Sequence, residues 1–278
     1  MEDYSFQRVA LPVVECLRQM QTLDLKGQVY DPLEEQIGLA EPTCLKIQSN
    51  GKDVGYALLD EKAKDGFTLL EYYLVPGHRN DSKPVLNELV RSFHCRYWFV
   101  NSQDSFALPL LLECGISYEL DAYIFSVEGL RLEIEELPDG ISLGLATPDD
   151  LDSTYNLIMQ DGFYTGNGLK GLAVRIRNEE IYLLRSRGLL GVGFVCPLVR
   201  TPRYADVAMI IDGKQRRQGL ASHLVSQLIR ISLDKGLIPT ALTSPKNIAS
   251  RKTLEKCGFH LDGCMLYAKT FELDRSKI

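Results

Sequence analysis

The strongest constraint on this chain is a layout that occurs twice. "NSQDSFALPLLLECGISYELDAYIF", Asn101–Phe125, and "NIASRKTLEKCGFHLDGCMLYAK", Asn247–Lys269, share an order of features. Each has a polar start, a short helix, Cys-Gly with an apolar residue, and then a strand. The sequence ahead of each is also alike. In the first half, Val54–Asp60 and Phe67–Pro76 read as adjacent strands, Lys83–His94 as a helix and "YWFVN" as a strand. In the second half, "LLGVGFVCPLV" and "ADVAMIID" read as strands, Arg216–Lys235 as a helix and "PTALTS" as a strand. A period of about 140 residues suits a duplicated domain and is too long for a solenoid repeat.

The join falls within Val127–Gly144, where Pro138-Asp139-Gly140 signals a turn. The expected fold is α+β, with two tandem domains, 1–135 and 136–278, each a mixed, splayed sheet flanked by helices. "ISLGLA" opens the second domain as a strand, and a helix follows it. Thr147 caps that helix, Pro148 takes its first position and Asp150 completes a capping box. Leu151, Tyr155 and Ile158 share its apolar face. The first 40 residues show helix-like patches and little else.

The 278 residues carry a formal net charge of -6. An acidic whole argues against a nucleic-acid footprint or a membrane surface. No apolar run is long enough for a membrane span, and the N-terminus does not read as a signal peptide. The seven cysteines form no Cys-x-x-Cys pair, so a cytoplasmic protein with reduced, buried thiols and no metal is expected.

"GKQRRQGLASHL", Gly213–Leu224, stands at a strand-to-helix turn. Val207, Met209 and Ile211 share one face of the strand before it; Asp206, Ala208 and Ile210 share the other. Leu220, Leu224, Leu228 and Ile231 stack along the helix after it. A helix N-terminus offers N–H groups without partners and partial positive charge, which together form an anion site. Gly219 and Ala221 let an anion approach the backbone, and arginines can bond phosphate oxygens. A plain solvated turn is the competing reading.

Arg216-x-x-Gly219-x-Ala221 after a strand resembles the acyl-CoA pyrophosphate motif of the GCN5-related N-acetyltransferases. Asn247-x-x-Ser250 followed by Gly258-Phe259 is similar to that family's downstream segment. The resemblance covers about Ile141–Leu273. The first half shares only the layout, with "VPGHRNDSKPVL" where the motif would stand, like a degenerate copy. The resemblance implies acetyl-CoA as cofactor. The backbone of Met209, Ile210 and Ile211 would pair with its pantetheine arm. The N–H groups of Arg217, Gln218, Gly219, Leu220, Ala221 and Ser222, beside Arg216, would hold its pyrophosphate. Asn247 and Ser250 would reach the arm from the far side. The sheet would splay between Asp206–Ile211 and Pro239–Thr243.

The implied reaction is direct acetyl transfer to a primary amine of a small metabolite or amino-acid-like acceptor. Many members of the family place a tyrosine acid seven residues after the Asn, where this chain has Leu254. Asp206 is the candidate base on the same analogy, and a solvated strand acid is the alternative. A sensor or scaffold that binds acyl-CoA without turnover is the rival function. "GNGLKG", Gly166–Gly171, follows a helix instead of a strand, so a dinucleotide loop is not expected there. The acidic run Glu133–Asp139 reads as a solvated edge. The oligomeric state is not legible.

Overall fold

The computed structural model describes residues 3–25, 27, 30, 42–63, 66–127, 134–160 and 168–270. They fall into two compact units. Unit 1 comprises Met1–Val29, Glu41–Ala122 and Gly263–Ile278; unit 2 comprises Tyr30–Ala40 and Tyr123–Asp262.

Unit 1 begins with β1 (Tyr4–Val9), which pairs antiparallel with β2 (Thr43–Ser49). Its alternating Tyr4, Phe6 and Arg8 sit in the patch that the sequence left unread. Helix α1 (Leu11–Asp24) follows β1. Asn50 and Gly51, both at positive φ (50° and 74°), turn β2 into β3 (Lys52–Ala63). Two such residues between alternating strands form the tight hairpin whose twist matches the sheet. β3 pairs antiparallel with β4 (Gly66–Leu74). Helix α2 (Ser82–Ser92) then carries the chain over to β5 (Cys95–Asn101), which lies parallel to β4. A parallel partner requires such a crossover. Helix α3 (Ala107–Cys114) ends at Gly115, which is left-handed at φ 64°.

Unit 2 holds β7 (Ser142–Leu145), α4 (Leu151–Gln160), α5 (Gly168–Arg177), β8 (Ile181–Arg185), β9 (Leu189–Pro197) and β10 (Tyr204–Ile211). After them come α6 (Leu220–Asp234), β11 (Ile238–Thr243) and α7 (Ile248–Lys256). The expected capping box before α4 is present, with the Asp150 carboxylate accepting from both the Thr147 N–H and the Thr147 hydroxyl. Two apolar layers cover the sheet. Val207, Leu224, Leu228, Leu254 and Phe259 pack on one side; Ile158, Leu172, Ile176, Phe194 and Ile210 pack on the other. Gly193 on β9 sets how closely α6 approaches, because a Cβ there would lie 2.7 Å from the Leu228 side chain.

The strand order departs from a simple tandem pair. Unit 1 runs β1-β2-β3-β4-β5 and is extended by β12 (His260–Ala268), the last strand of the described chain. Met265–Ala268 pair antiparallel with Trp98–Asn101 of β5. Unit 2 runs β11-β10-β9-β8-β7 and is extended by β6 (Tyr118–Ser126), whose Tyr123–Ser126 pair antiparallel with Thr240–Thr243 of β11. Each repeat's final strand therefore completes the other repeat's sheet. A single cut near residue 135 is replaced by an interleaved division, since local periodicity specifies a strand but not its partner.

Candidate functional site

The parallel pair β10–β11 holds only at Tyr204↔Ile238, Ala205↔Pro239 and Asp206↔Thr240. Beyond that point β10 stays on β9 as far as Ile211↔Gly191. β11 stays on β6 as far as Thr243↔Tyr123. The two strands therefore separate into a V whose vertex is the Asp206–Thr240 pair, between the two strands where the family resemblance implied a splay. Thr243 Oγ1, on the separated part of β11, is buried without a hydrogen-bond partner. Hydrogen-bonding capacity is thus left unused along this gap.

The basic turn follows the open end of β10. Asp212 Oδ1 accepts from the Lys214 N–H at 2.7 Å, and Arg216 Nε donates to Ile211 O at 3.2 Å, tying the loop back to the strand. Arg217 (φ 63°) and Gly219 (φ 80°) are left-handed. Alternating handedness of this kind turns successive N–H groups inward and forms an anion-binding concavity. A Cβ on Gly219 would meet nothing within 4 Å, so the space over the loop is open. α6 starts at Leu220 with Gly219 as its N-cap, whereas the sequence suggested a helix from Arg216. One expected donor changes role, because the Ser222 N–H already bonds Gly219 O at 3.0 Å. Arg217, Gln218, Gly219, Leu220 and Ala221 remain at the mouth of the helix, with Met209, Ile210 and Ile211 on the separated part of β10. These features fit a pyrophosphate and its extended arm.

Asn247 and Ser250 serve first as a cap. The Asn247 side chain is the N-cap of α7 and accepts from the Ser250 N–H at 3.1 Å. Leu254 is buried in the core below α6 and α7. Arg251 lays its guanidinium over the Tyr123 ring, 5.0 Å from the centroid. Gly166 lies outside the described residues, and Gly168–Gly171 belong to α5, which packs against α4. The acidic run is solvated at its acids and anchored between them: Glu136 and Asp139 are exposed, Ile134 and Leu137 lie on the core, and Glu135 pairs with Lys256 Nζ at 3.1 Å.

Asp206 is half-buried at the vertex. Its Oδ1 accepts from the Tyr30 hydroxyl at 3.2 Å, and Tyr30 also lies 3.0 Å from Thr240 Oγ1. Tyr30 escaped the sequence reading because its stretch has no periodicity and its partners are 176 and 210 residues away. Cys196 stands opposite Asp206 in the β9–β10 register and receives an N–H from Arg175 at 2.7 Å. Burial pushes the Cys196 thiol well above its usual value, so it is not a nucleophile there. Burial works against the Arg175 charge, but Cys196, Glu180 and Asp206 outweigh it and raise the guanidinium further. All seven cysteines are free thiols; against the expectation of buried thiols, Cys44 and Cys95 alone are buried, Cys16 is exposed and the other four are half-buried. Among the described residues no group of side chains has the makings of a metal site.

Unit 1 keeps part of the same arrangement. Arg79 Nε donates to Leu74 O at 3.2 Å, just as Arg216 does at the end of β10. Arg79-Asn80-Asp81-Ser82 thus stands in the place of Arg216-Arg217-Gln218-Gly219. Ser82 is right-handed (φ -55°), and its N–H and hydroxyl both bond Arg79 O. The Arg79 guanidinium pairs with Asp24 at 2.5 Å and lies 5.1 Å from the Phe106 ring centroid. The Asp81 carboxylate accepts from Tyr4 at 2.8 Å, bringing negative charge to the helix mouth. β4 and β5 also part, beyond Leu69↔Trp98, and Tyr72 and Tyr73 pack on Phe106 past that point. The loop has kept its brace and lost the left-handed pair.

Residues 22–128 match the family described as "Acetyltransferase (GNAT) domain", and residues 199–267 match "FR47-like protein". No curated protein matches the sequence. Among solved structures, a GNAT-family acetyltransferase from Colwellia psychrerythraea superposes with a TM-score of 0.81 at 16% identity, covering 95% of this chain and 99% of the other. A GCN5-related N-acetyltransferase from Sphaerobacter thermophilus gives 0.65 at 13% identity, with 95% and 94% covered. A tandem GNAT protein from the clavulanic acid biosynthesis pathway gives 0.63 at 15% identity, with 96% and 98% covered. At these identities the likeness is one of fold.

Proposed function

Since the chain belongs to the GCN5-related N-acetyltransferase superfamily and carries its fold twice, we propose that unit 2 is an acetyl-CoA-dependent N-acetyltransferase and that unit 1 is silent. The acceptor is a primary amine of a small metabolite or an amino-acid-like compound. The observation that carries this reading is the V opening at Asp206–Thr240, with the left-handed Arg217–Gly219 loop at its open end.

Bound acetyl-CoA supplies an activated acyl carbon and a thiolate leaving group. Arg217–Ala221 offer N–H groups and positive charge to its pyrophosphate. The separated backbone of Met209–Ile211 offers strand-like hydrogen bonds to the arm. Asp206 takes the proton of the attacking amine, and its place at the vertex, beside the parting backbones, suits that role. Asn247 and Ser250 act by fixing the start of α7 on the far side of the gap. The braced turn in unit 1, with its Asp81 carboxylate and right-handed Ser82, supports the silence of that unit.

Leu254 favours a second reading, a unit that binds acyl-CoA without turnover, because its position holds a core side chain where many relatives have an acid.

Calorimetric titration of the full chain with acetyl-CoA, CoA and 3′-dephospho-CoA tests the binding. One site per chain is expected. Two sites would overturn the silence of unit 1, and none would overturn the cofactor assignment. An amine panel with acetyl-CoA then separates the enzyme from the binder.

A further inference from the structure

Tyr30, Asp206, Thr240 and the Phe125 carbonyl form a row across the vertex. The phenol oxygen lies 3.2 Å from Asp206 Oδ1 and 3.0 Å from Thr240 Oγ1, and the Thr240 hydroxyl donates to Phe125 O at 2.7 Å. Asp206 and Thr240 are the last pair before β10 and β11 part. One phenol therefore spans both strands where the gap begins. Thr240 is fully buried, so water does not complete its bonds.

Counting hydrogens gives the row a direction. Thr240 has one hydroxyl hydrogen, and it is on Phe125 O, so Thr240 meets Tyr30 as an acceptor. The Asp206 carboxylate is also an acceptor. Tyr30 has a single hydrogen for the two. The row is continuous only when Asp206 carries a proton: the carboxyl then donates to Tyr30, Tyr30 to Thr240, and Thr240 to Phe125. Linked bonds of this kind polarise and strengthen one another.

We propose that Tyr30 is a positioning residue that relays the proton state of Asp206 across the vertex. Its service in acyl transfer rests on the reading of unit 2 as an acetyltransferase; the relay itself is a property of the row. As the amine nitrogen bonds the acyl carbon and the carbon–sulfur bond breaks, the N–H proton passes to Asp206. The new carboxyl donates to Tyr30, whose own hydrogen turns to Thr240. Asp206 then gives its proton to the departing sulfur, and the Tyr30 hydrogen returns to the carboxylate. One proton has moved from nitrogen to sulfur, with none left over. The row thereby does the work that the side chain at Leu254 cannot do.

The test is the titration of Asp206 in the full chain, followed by NMR of 13C-labelled aspartate carboxyls, with Asp206→Asn used for assignment. Tyr30→Phe removes a donor to the carboxylate, a charge-assisted bond stronger than its neutral counterpart, so the midpoint rises. Thr240→Val leaves the carboxylate its Tyr30 hydrogen but takes the far acceptor from the acid form, so the midpoint falls. Thr240→Ser restores the original midpoint. Opposite displacements by two neighbours are the expected signature, in variants whose melting shows an intact fold. Unmoved midpoints, or both moving the same way, overturn the relay. The titration needs neither acetyl-CoA nor acceptor. Opposite shifts without acylation of any amine would sink the enzyme reading alone; acylation with unmoved midpoints would sink the relay alone.

Discussion

Gly219 carries two burdens that a substitution can separate. Its φ of 80° strains any other residue, and the open space above it means that a side chain meets no protein atom. Gly219→Ala and Gly219→Glu should therefore cost a similar ~1–2 kcal/mol of stability, measurable by urea unfolding. Acetyl-CoA affinity should fall far more in the Glu variant, whose carboxylate faces the anion site; equal affinity in the two would remove the phosphate assignment. Leu254 offers a second test at this scale. Being only 3% exposed within the core, it leaves little room for a larger ring. Leu254→Tyr should destabilise unit 2 by about 1–3 kcal/mol through overpacking, without raising turnover. A stable, faster variant would refute that placement. Gly219 was legible because a left-handed glycine before an amphipathic helix leaves a local trace. Tyr30 was not, because its role exists only through residues distant in the chain.

Helices and turns followed the sequence closely where their signals are local. The Thr147–Asp150 box is the clearest case, and its chemistry predicts a pH dependence. Partial burial raises the Asp150 carboxyl, but bonds from Thr147 and Arg185 outweigh it and hold it below the usual carboxylate value. A lowered folded value means stability that is present above the ordinary carboxylate range and is lost as pH falls through the lowered one. Asp150→Asn should cost about 1 kcal/mol near neutral pH, the usual weight of a cap. The difference from the parent should shrink in urea melts as the pH is lowered through the carboxylate range; a constant gap would refute the linkage. The turn between β4 and α2 was half legible. Its missing glycine showed in the sequence, but the retained Arg79 brace did not, since one arginine in a polar turn carries no signature of the carbonyl it meets.

The duplication was plain from two Cys-Gly segments, yet the exchange of final strands was not. β6 and β12 have similar patterns, so either would satisfy the apolar edge of β5 or of β11, and pattern alone leaves the choice open. The exchange predicts an uneven response to truncation. Removing residues 263–278 takes β12 away from β5, so amide exchange should quicken at Trp98–Asn101, in unit 1, while β8 and β9 of unit 2 stay protected. Loss confined to unit 2 would contradict the pairing. Separate expression of 1–135 should likewise leave β5 with a bare edge, a template for unwanted pairing. The same exchange sets a timetable for the growing polypeptide. The first half leaves the ribosome with β5 still waiting for a neighbour, and that neighbour is synthesised only after all of β7 to α7. From then until β12 emerges the early half is an unfinished fold exposed to chaperones, and its completion is tied to the arrival of that strand.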